Sequence, residues 1–206
     1  METRVQVFAK APVAGEVKTR LIPRLGAAGA AALHSTLVER SLRTALDAAV
    51  GPVELWCAPA RTHPAFRPLI VAGVHTRNQG EGDLGTRMQR ALADAQNASS
   101  AAILIGSDCP ALGVKDLREA ATALNEGLDA VFTPVEDGGY ALIAVRRADK
   151  ALFEGIAWSS DTVMEQTRVR MTGLGWHWRE LALRWDVDRP EDYERLLREG
   201  LFGQPA

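Results

Sequence analysis

Residues 101–106, Ala-Ala-Ile-Leu-Ile-Gly, form an apolar run with no polar alternation. A strand with one face in water alternates apolar and polar side chains, so an unbroken run suits a strand covered on both faces. That places it at the centre of a parallel sheet and commits the chain to helices above and below. The run stops abruptly at Ser107-Asp108-Cys109-Pro110. A carboxylate emerging from such a strand is costly unless it is paired or coordinates a cation.

The flanking sequence supplies the helices. Leu33, Leu37, Ala45, Leu46 and Ala49 recur at helical spacing between Gly26 and Val50. Leu84, Met88, Ala91, Leu92 and Ala95 share one face of a second helix, and a third spans roughly 114–125. Thr162-x-x-Glu165 has the form of a capping box and opens a fourth, and residues 190–199 read as the last. Strands are expected at 4–9, 53–57, near 74–76, at 101–106, near 130–132 and 140–143, and at 176–178. This alternation predicts an α/β sandwich with a mostly parallel sheet. Ligands of such sheets sit beyond the carboxyl ends of strands, where connections diverge.

Composition narrows the function. The 206 residues suit one domain, 1–206, and are long enough to bury a core without staples. Hydrophobic residues are 47% and charged residues 24%, with a formal net charge of −2. That balance disfavours a general nucleic-acid binder. Two cysteines are too few for a disulfide scaffold, and no stretch approaches a membrane span. The expectation is a cytoplasmic protein with neither nucleic-acid nor membrane partners; a homodimer stays open.

Locally the charges are uneven. Lys10, Lys18, Arg20 and Arg24 lie between the first strand and first helix, opposed only by Glu16. These cations, with free amides around Gly15, could hold a phosphate chain or form a solvated basic loop. The loop is not a P-loop, because Val17 and Pro12 occupy the positions where that motif needs glycine. Opposite charge sits at Asp108, at Asp137-Gly138-Gly139-Tyr140 and at Asp186-Val187-Asp188. A carboxylate facing a phosphate-binding loop suits Mg²⁺ or Mn²⁺. Asp188 also reads as the N-cap of the last helix, with Glu191 completing a capping box. Asp137–Tyr140 reads as a hairpin turn or a close approach for a ligand. Ser159-Ser160-Asp161 either caps a helix or faces a substrate. Cys109 reads as a small filler, the histidines lack metal-ligand spacing, and the tryptophans near the C-terminus read as packing.

Six segments in order, FAKAPVAGEVKTRL, GDLGTRM, LIGSDCPAL, DGGYALI, WSSDTVMEQT and DVDRPEDYERL, resemble the radical-SAM/selenodomain-associated, glycosyltransferase-like family. The resemblance implies the nucleotide-diphospho-sugar transferase (GT-A) fold, a three-layer α/β/α sandwich. More distantly the chain is similar to 2-phospholactate and molybdenum-cofactor guanylyltransferases. Carried over, the resemblance makes Lys10, Lys18 and Arg20 phosphate contacts, with Gly15 and Gly82 counted among the nucleotide-binding residues. It makes Asp108 and Asp188 metal ligands for Mg²⁺ or Mn²⁺, and places acceptor contacts at Gly138, Gly139 and Tyr140. Lys18, Asp137 and Asp161 are the catalytic candidates, the carboxylates orienting or deprotonating an acceptor hydroxyl. The implied activity is sugar transfer from a nucleotide-diphospho-sugar. The alternatives are nucleotidyl transfer from an NTP with release of pyrophosphate, and a non-catalytic nucleotide-binding module. Glycosyltransferases of this fold usually carry Asp-x-Asp, whereas Ser107-Asp108-Cys109-Pro110 is closer to the nucleotidyltransferase form.

Overall fold

The computed structural model describes residues 2–97 and 99–201. The apolar run forms β4 (Ala101–Ile105), buried at every residue. It lies between β1 (Thr3–Lys10) and β6 (Tyr140–Val145). Beyond β1 come β2 (Val53–Ala58) and β3 (Val74–Asn78); beyond β6 come β5 (Ala130–Pro134) and β7 (Trp178–Glu180). The order is β3-β2-β1-β4-β6-β5-β7. Only β6 is antiparallel to its neighbours; every other pairing is parallel.

Helices α1 (Ile22–Ala48) and α3 (Val114–Asn125) cover one face, and α2 (Leu84–Gln96) and α4 (Val163–Gly173) cover the other. The lack of alternation in β4 now has its cause. Ala101, Ile103 and Ile105 pack with Leu42 of α1 and Leu117 of α3, while Ala102 and Leu104 pack with Leu92 of α2 and Met164 of α4. Each large side chain so buried contributes about 1.5–3 kcal/mol. A third cluster joins Leu21 and Leu37 to Trp185, Val187 and Leu196, seating α5 (Pro190–Arg198) near the start of α1. The result is the expected three-layer α/β/α sandwich with a mixed, mostly parallel sheet.

Several boundaries differ from the sequence reading for local reasons. Helix α1 begins at Ile22, four residues before Gly26, which interrupts it with φ 70° and ψ 165°. Strand β7 starts at Trp178 because Trp176 is buried against the α4 layer. Thr162 precedes α4 but caps no amide. Its hydroxyl accepts from the Gln166 side chain at 2.7 Å and pairs with Ser160 at 2.8 Å, so the expected capping box does not form.

Among the described residues, strand β2 carries a buried ionic group. Glu54, 1% exposed, accepts from Arg4 at 2.7 Å and from the Trp56 indole at 2.9 Å, with Arg77 at 3.4 Å. Burial pushes its carboxyl up, but the Trp56 and Arg4 hydrogen bonds and the charges of Arg4 and Arg77 outweigh that and hold it below the usual range. Glu54→Ala would strand Arg4 and is expected to cost about 3–5 kcal/mol in urea unfolding at pH 7. Because the folded-state value is depressed, this stabilisation is present at neutral pH and is lost as pH falls through that value. The gap between the two proteins should therefore narrow in acid. A loss under about 1 kcal/mol at pH 7 would show that the pair does not support the sheet.

Candidate active site

Strand order reverses between β1 and β4, so the loops leaving their carboxyl ends diverge there and open a crevice. Because β6 runs against β4, with Leu142 opposite Ile105, the turn before Tyr140 opens at the same end. The segment after β7 also returns there. Arg184 bridges Val135, and the Val187 N–H donates to the Asp108 carbonyl at 2.9 Å. Three distant stretches of sequence thus meet beyond the carboxyl ends of the central strands.

The first loop is anchored by apolar residues and turned by special backbone conformations. Val17 and Leu21 are buried; Gly15 adopts φ 87°, and Lys18 between the anchors is left-handed at φ 48°. Non-glycine residues seldom occupy that region. Here it accompanies a lysine whose side chain is only 4% exposed. Its Nζ lies 2.7 Å from Asp108 Oδ1 and donates to the Val187 carbonyl at 2.7 Å. The amides of Ala14, Gly15, Val17 and Lys18 donate to no acceptor among the described residues. Lys10 is exposed, and Arg20 pairs with Asp188.

Facing this loop stand the carboxylates. Burial opposes ionisation of Asp108, but the charge and hydrogen bond of Lys18, with smaller help from His34 and Lys10, hold its carboxyl below the ordinary range. Asp186 is the opposite case. Burial first, then the neighbouring carboxylates of Asp108, Asp137 and Asp188, push it up to about 7 against the pull of Lys18. Its Oδ1 is enclosed and has no hydrogen-bond partner among the described residues. Asp188 is not the N-cap of α5. That position falls to Arg189, and Asp192 accepts from the Arg189 and Asp188 amides at 2.7 and 3.0 Å. The expected Asp188–Glu191 capping box is therefore replaced, and the Asp188 side chain is left to meet Arg20.

The remaining candidates line the periphery. Asp137 is exposed and accepts from the Gly139 amide at 2.9 Å, closing the turn. Gly138 is required by contact and by φ 89°, since a Cβ there would lie 1.9 Å from the Asp161 carbonyl oxygen. Asp161 joins the site through this backbone, with its side chain exposed. The Tyr140 ring packs edge-on to Phe132, its hydroxyl 4.0 Å from Met88 Sδ, and burial drives its ionisation upward. Gly82 sits in a separate loop, residues 79–83, whose Gln79 side chain donates to the Ala9 and Trp56 carbonyls at 3.1 and 2.9 Å. Arg87 and Arg90 hold that loop through Gln79 and Glu81. Trp158 closes over Gly85 at the start of α2.

One site residue, His34, escaped the sequence reading, and a second, Asp186, entered it only as one of the opposing acids. His34 lies inside the apolar face of α1, where helical spacing marks it as core. Its Nε2 meets the Lys10 carbonyl at 3.0 Å and its Nδ1 lies 3.8 Å from Asp108 Oδ1; burial lowers its pKa against the pull of Asp108. Asp186 was visible only as one acid in a run, and nothing in its spacing marked it as the one with an enclosed oxygen. Cys109 is buried, with its thiol pushed up to about 12, in keeping with a filler.

The raised Asp186 carboxyl has a measurable consequence. A folded-state value above the unfolded one contributes stability below the unfolded pKa that is lost as pH rises through the folded value. In metal-free buffer Asp186→Asn should therefore melt higher than the parent at pH 8, with the difference shrinking toward pH 4. An equal or lower Tm at pH 8 would contradict this electrostatic picture.

No curated protein matches the chain. Among solved structures it is similar to a protein from Desulfovibrio desulfuricans G20 provisionally named a nucleotide-diphospho-sugar transferase. That match has 27% identity and a TM-score of 0.89, over 98% of this chain and 89% of that one. More distant matches share the fold alone. One is Rv0371C of Mycobacterium tuberculosis H37Rv in complex with manganese, with 18% identity, TM-score 0.59, and 96% and 99% coverage. Another is 4-diphosphocytidyl-2C-methyl-D-erythritol synthase of Anaerococcus prevotii DSM 20548, with 9% identity, TM-score 0.63, and 96% of each chain covered. The architecture is thus the GT-A/nucleotidyltransferase-like fold. The family described as "Uncharacterized protein conserved in bacteria (DUF2064)" matches residues 41–160, more than half of the sequence, and the chain belongs to that family.

Proposed function

We propose that the protein is a metal-dependent transferase that takes a glycosyl group from a nucleotide-diphospho-sugar to a small acceptor. The observation that carries this reading is the Lys18–Asp108 contact at 2.7 Å. It joins a cation-rich loop with free amides to a carboxylate cluster across the point where the strand order reverses. A diphosphate with its cation matches both halves of that charge pattern.

The residues present fit a hard divalent ion. Carboxylates are the right donors, and Asp186 Oδ1 is enclosed without a partner. No three His, Cys, Asp or Glu side chains among the described residues converge as a ready-made centre. That suits an ion held by one or two carboxylates, with phosphate oxygens and waters completing its shell. Asp108 and Asp188 would hold Mg²⁺ or Mn²⁺, which when bound supplies neutralisation of charge on the diphosphate and the departing nucleotide. Lys10, Arg20 and the amides of Ala14 and Gly15 bind phosphate oxygens. Lys18 serves the same site from beneath, by holding Asp108 ionised and in place. The loop containing Gly82 meets the nucleoside end, since Gln79 ties it to the ends of β1 and β2. Asp137 or Asp161 orients the acceptor hydroxyl and takes its proton, and Gly138, Gly139 and the Tyr140 backbone form the floor beneath it.

Nucleotidyl transfer is the second reading, favoured by a single Asp108 followed by Pro110 where sugar transferases of this fold usually carry Asp-x-Asp. The resemblance to guanylyltransferases belongs to that reading, and the radical-SAM/selenodomain association to the first. Phosphorus NMR separates them: with Mg²⁺ and a panel of sugar nucleotides and NTPs, the proposal expects release of a nucleoside diphosphate. Pyrophosphate from an NTP would instead establish nucleotidyl transfer. No turnover, with a nucleotide-dependent rise in Tm, would indicate a binding module. Asp108→Asn is expected to lower kcat by about 10²-fold or more.

A further inference from the structure

Lys18 is placed unlike a phosphate clamp. Its side chain is 4% exposed, and its ammonium is fixed from two sides, by Asp108 Oδ1 and by the Val187 carbonyl, each at 2.7 Å. The left-handed backbone at φ 48° sits between two buried anchors, Val17 and Leu21. Asp108 also has His34 Nδ1 at 3.8 Å, while Asp188 is engaged by Arg20. Asp186 Oδ1 is enclosed and has no partner. The cluster therefore already holds an enclosed cation, Lys18, seated on the carboxylate that emerges from the central strand, with the exposed Arg20 on Asp188.

We propose that Lys18 is the resident counter-ion of this carboxylate cluster, so that a free divalent cation is held off until a polyphosphate arrives with it. This rests on the proposed function, since it assigns the order in which that site fills. A divalent ion on Asp108 alone would stand within a few ångströms of a fixed ammonium in a partly enclosed site, where like charges repel strongly. A nucleoside diphosphate brings enough negative charge to accommodate both cations. The chain thus recruits the cation–nucleotide complex and discriminates against the bare ion.

The test uses Mn²⁺ alone, followed by electron paramagnetic resonance, on the full chain without nucleotide. Lys18→Met is expected to bind Mn²⁺ about tenfold or more tighter than the parent. Lys18→Arg should behave as the parent, and adding Asp108→Asn to Lys18→Met should abolish the gain. Equal Mn²⁺ affinity in the parent and Lys18→Met would overturn the proposal. If circular dichroism shows Lys18→Met unfolded, the parent decides. Its Lys18 ammonium resonance should be unmoved by Mg²⁺ alone and shift when Mg²⁺ and a nucleoside diphosphate are added together. A shift with Mg²⁺ alone, or none with the pair, would overturn it. No nucleotide enters the Mn²⁺ comparison, so absence of sugar-nucleotide binding in a parallel thermal-shift assay would count against the proposed function and leave the Lys18 comparison to be judged separately.

Discussion

A buried ammonium on a carboxylate, Lys18 on Asp108, ties together stretches of this molecule that lie far apart in sequence. The lysine comes from the loop after β1, the aspartate from the end of β4, and the carbonyl that completes the contact from Val187 near the C-terminus. Removing the Asp108 charge would leave the Lys18 ammonium, 4% exposed, without its counter-charge, a situation that costs several kcal/mol in other proteins. The hydrophobic layers need not have produced such a pair. Their geometry brings the two loops together at the strand reversal, and the charges then hold the loop tips in a fixed relation.

That arrangement changes how the chain's near-zero net charge is understood. The balance is made of two opposed local excesses, cations on the first loop and carboxylates on three others, meeting at one end of the central strands. Within the cluster the two kinds of carboxylate diverge. Asp108, paired, stays ionised, whereas Asp186, unpaired and surrounded by like charge, holds its proton toward neutrality. Pairs of acids driven apart in this way occur often at functional sites, because the same fields that split them act on a bound ligand.

The fold was readable because its strongest signal was physical. An apolar strand with no alternation has to be covered twice, and Ala101–Ile105 is covered twice. Helix positions followed from spacing, and errors were confined to ends where a local contact prevailed, such as Gly26 in α1 and the Thr162 hydroxyl turned to Gln166. The site was readable only in outline. Lys18, Asp108 and Asp188 stood out as charges in loops, but which of them would be buried depends on contacts across most of the chain. His34 was hidden because a histidine on an apolar helix face is indistinguishable in sequence from a core residue. Asp186 and Asp188 could not be told apart, since Asp192 rather than Glu191 satisfies the amides before α5.

In the proposed site a diphosphate and its cation sit between the first loop and the carboxylates at the strand reversal. Amide chemical-shift mapping tests it most directly, by adding Mg²⁺ and a nucleoside diphosphate to the isotopically labelled protein. The largest shifts are expected on residues 14–20, on Asp108 and on residues 186–188. Shifts concentrated elsewhere, or none at saturating nucleotide, would contradict it.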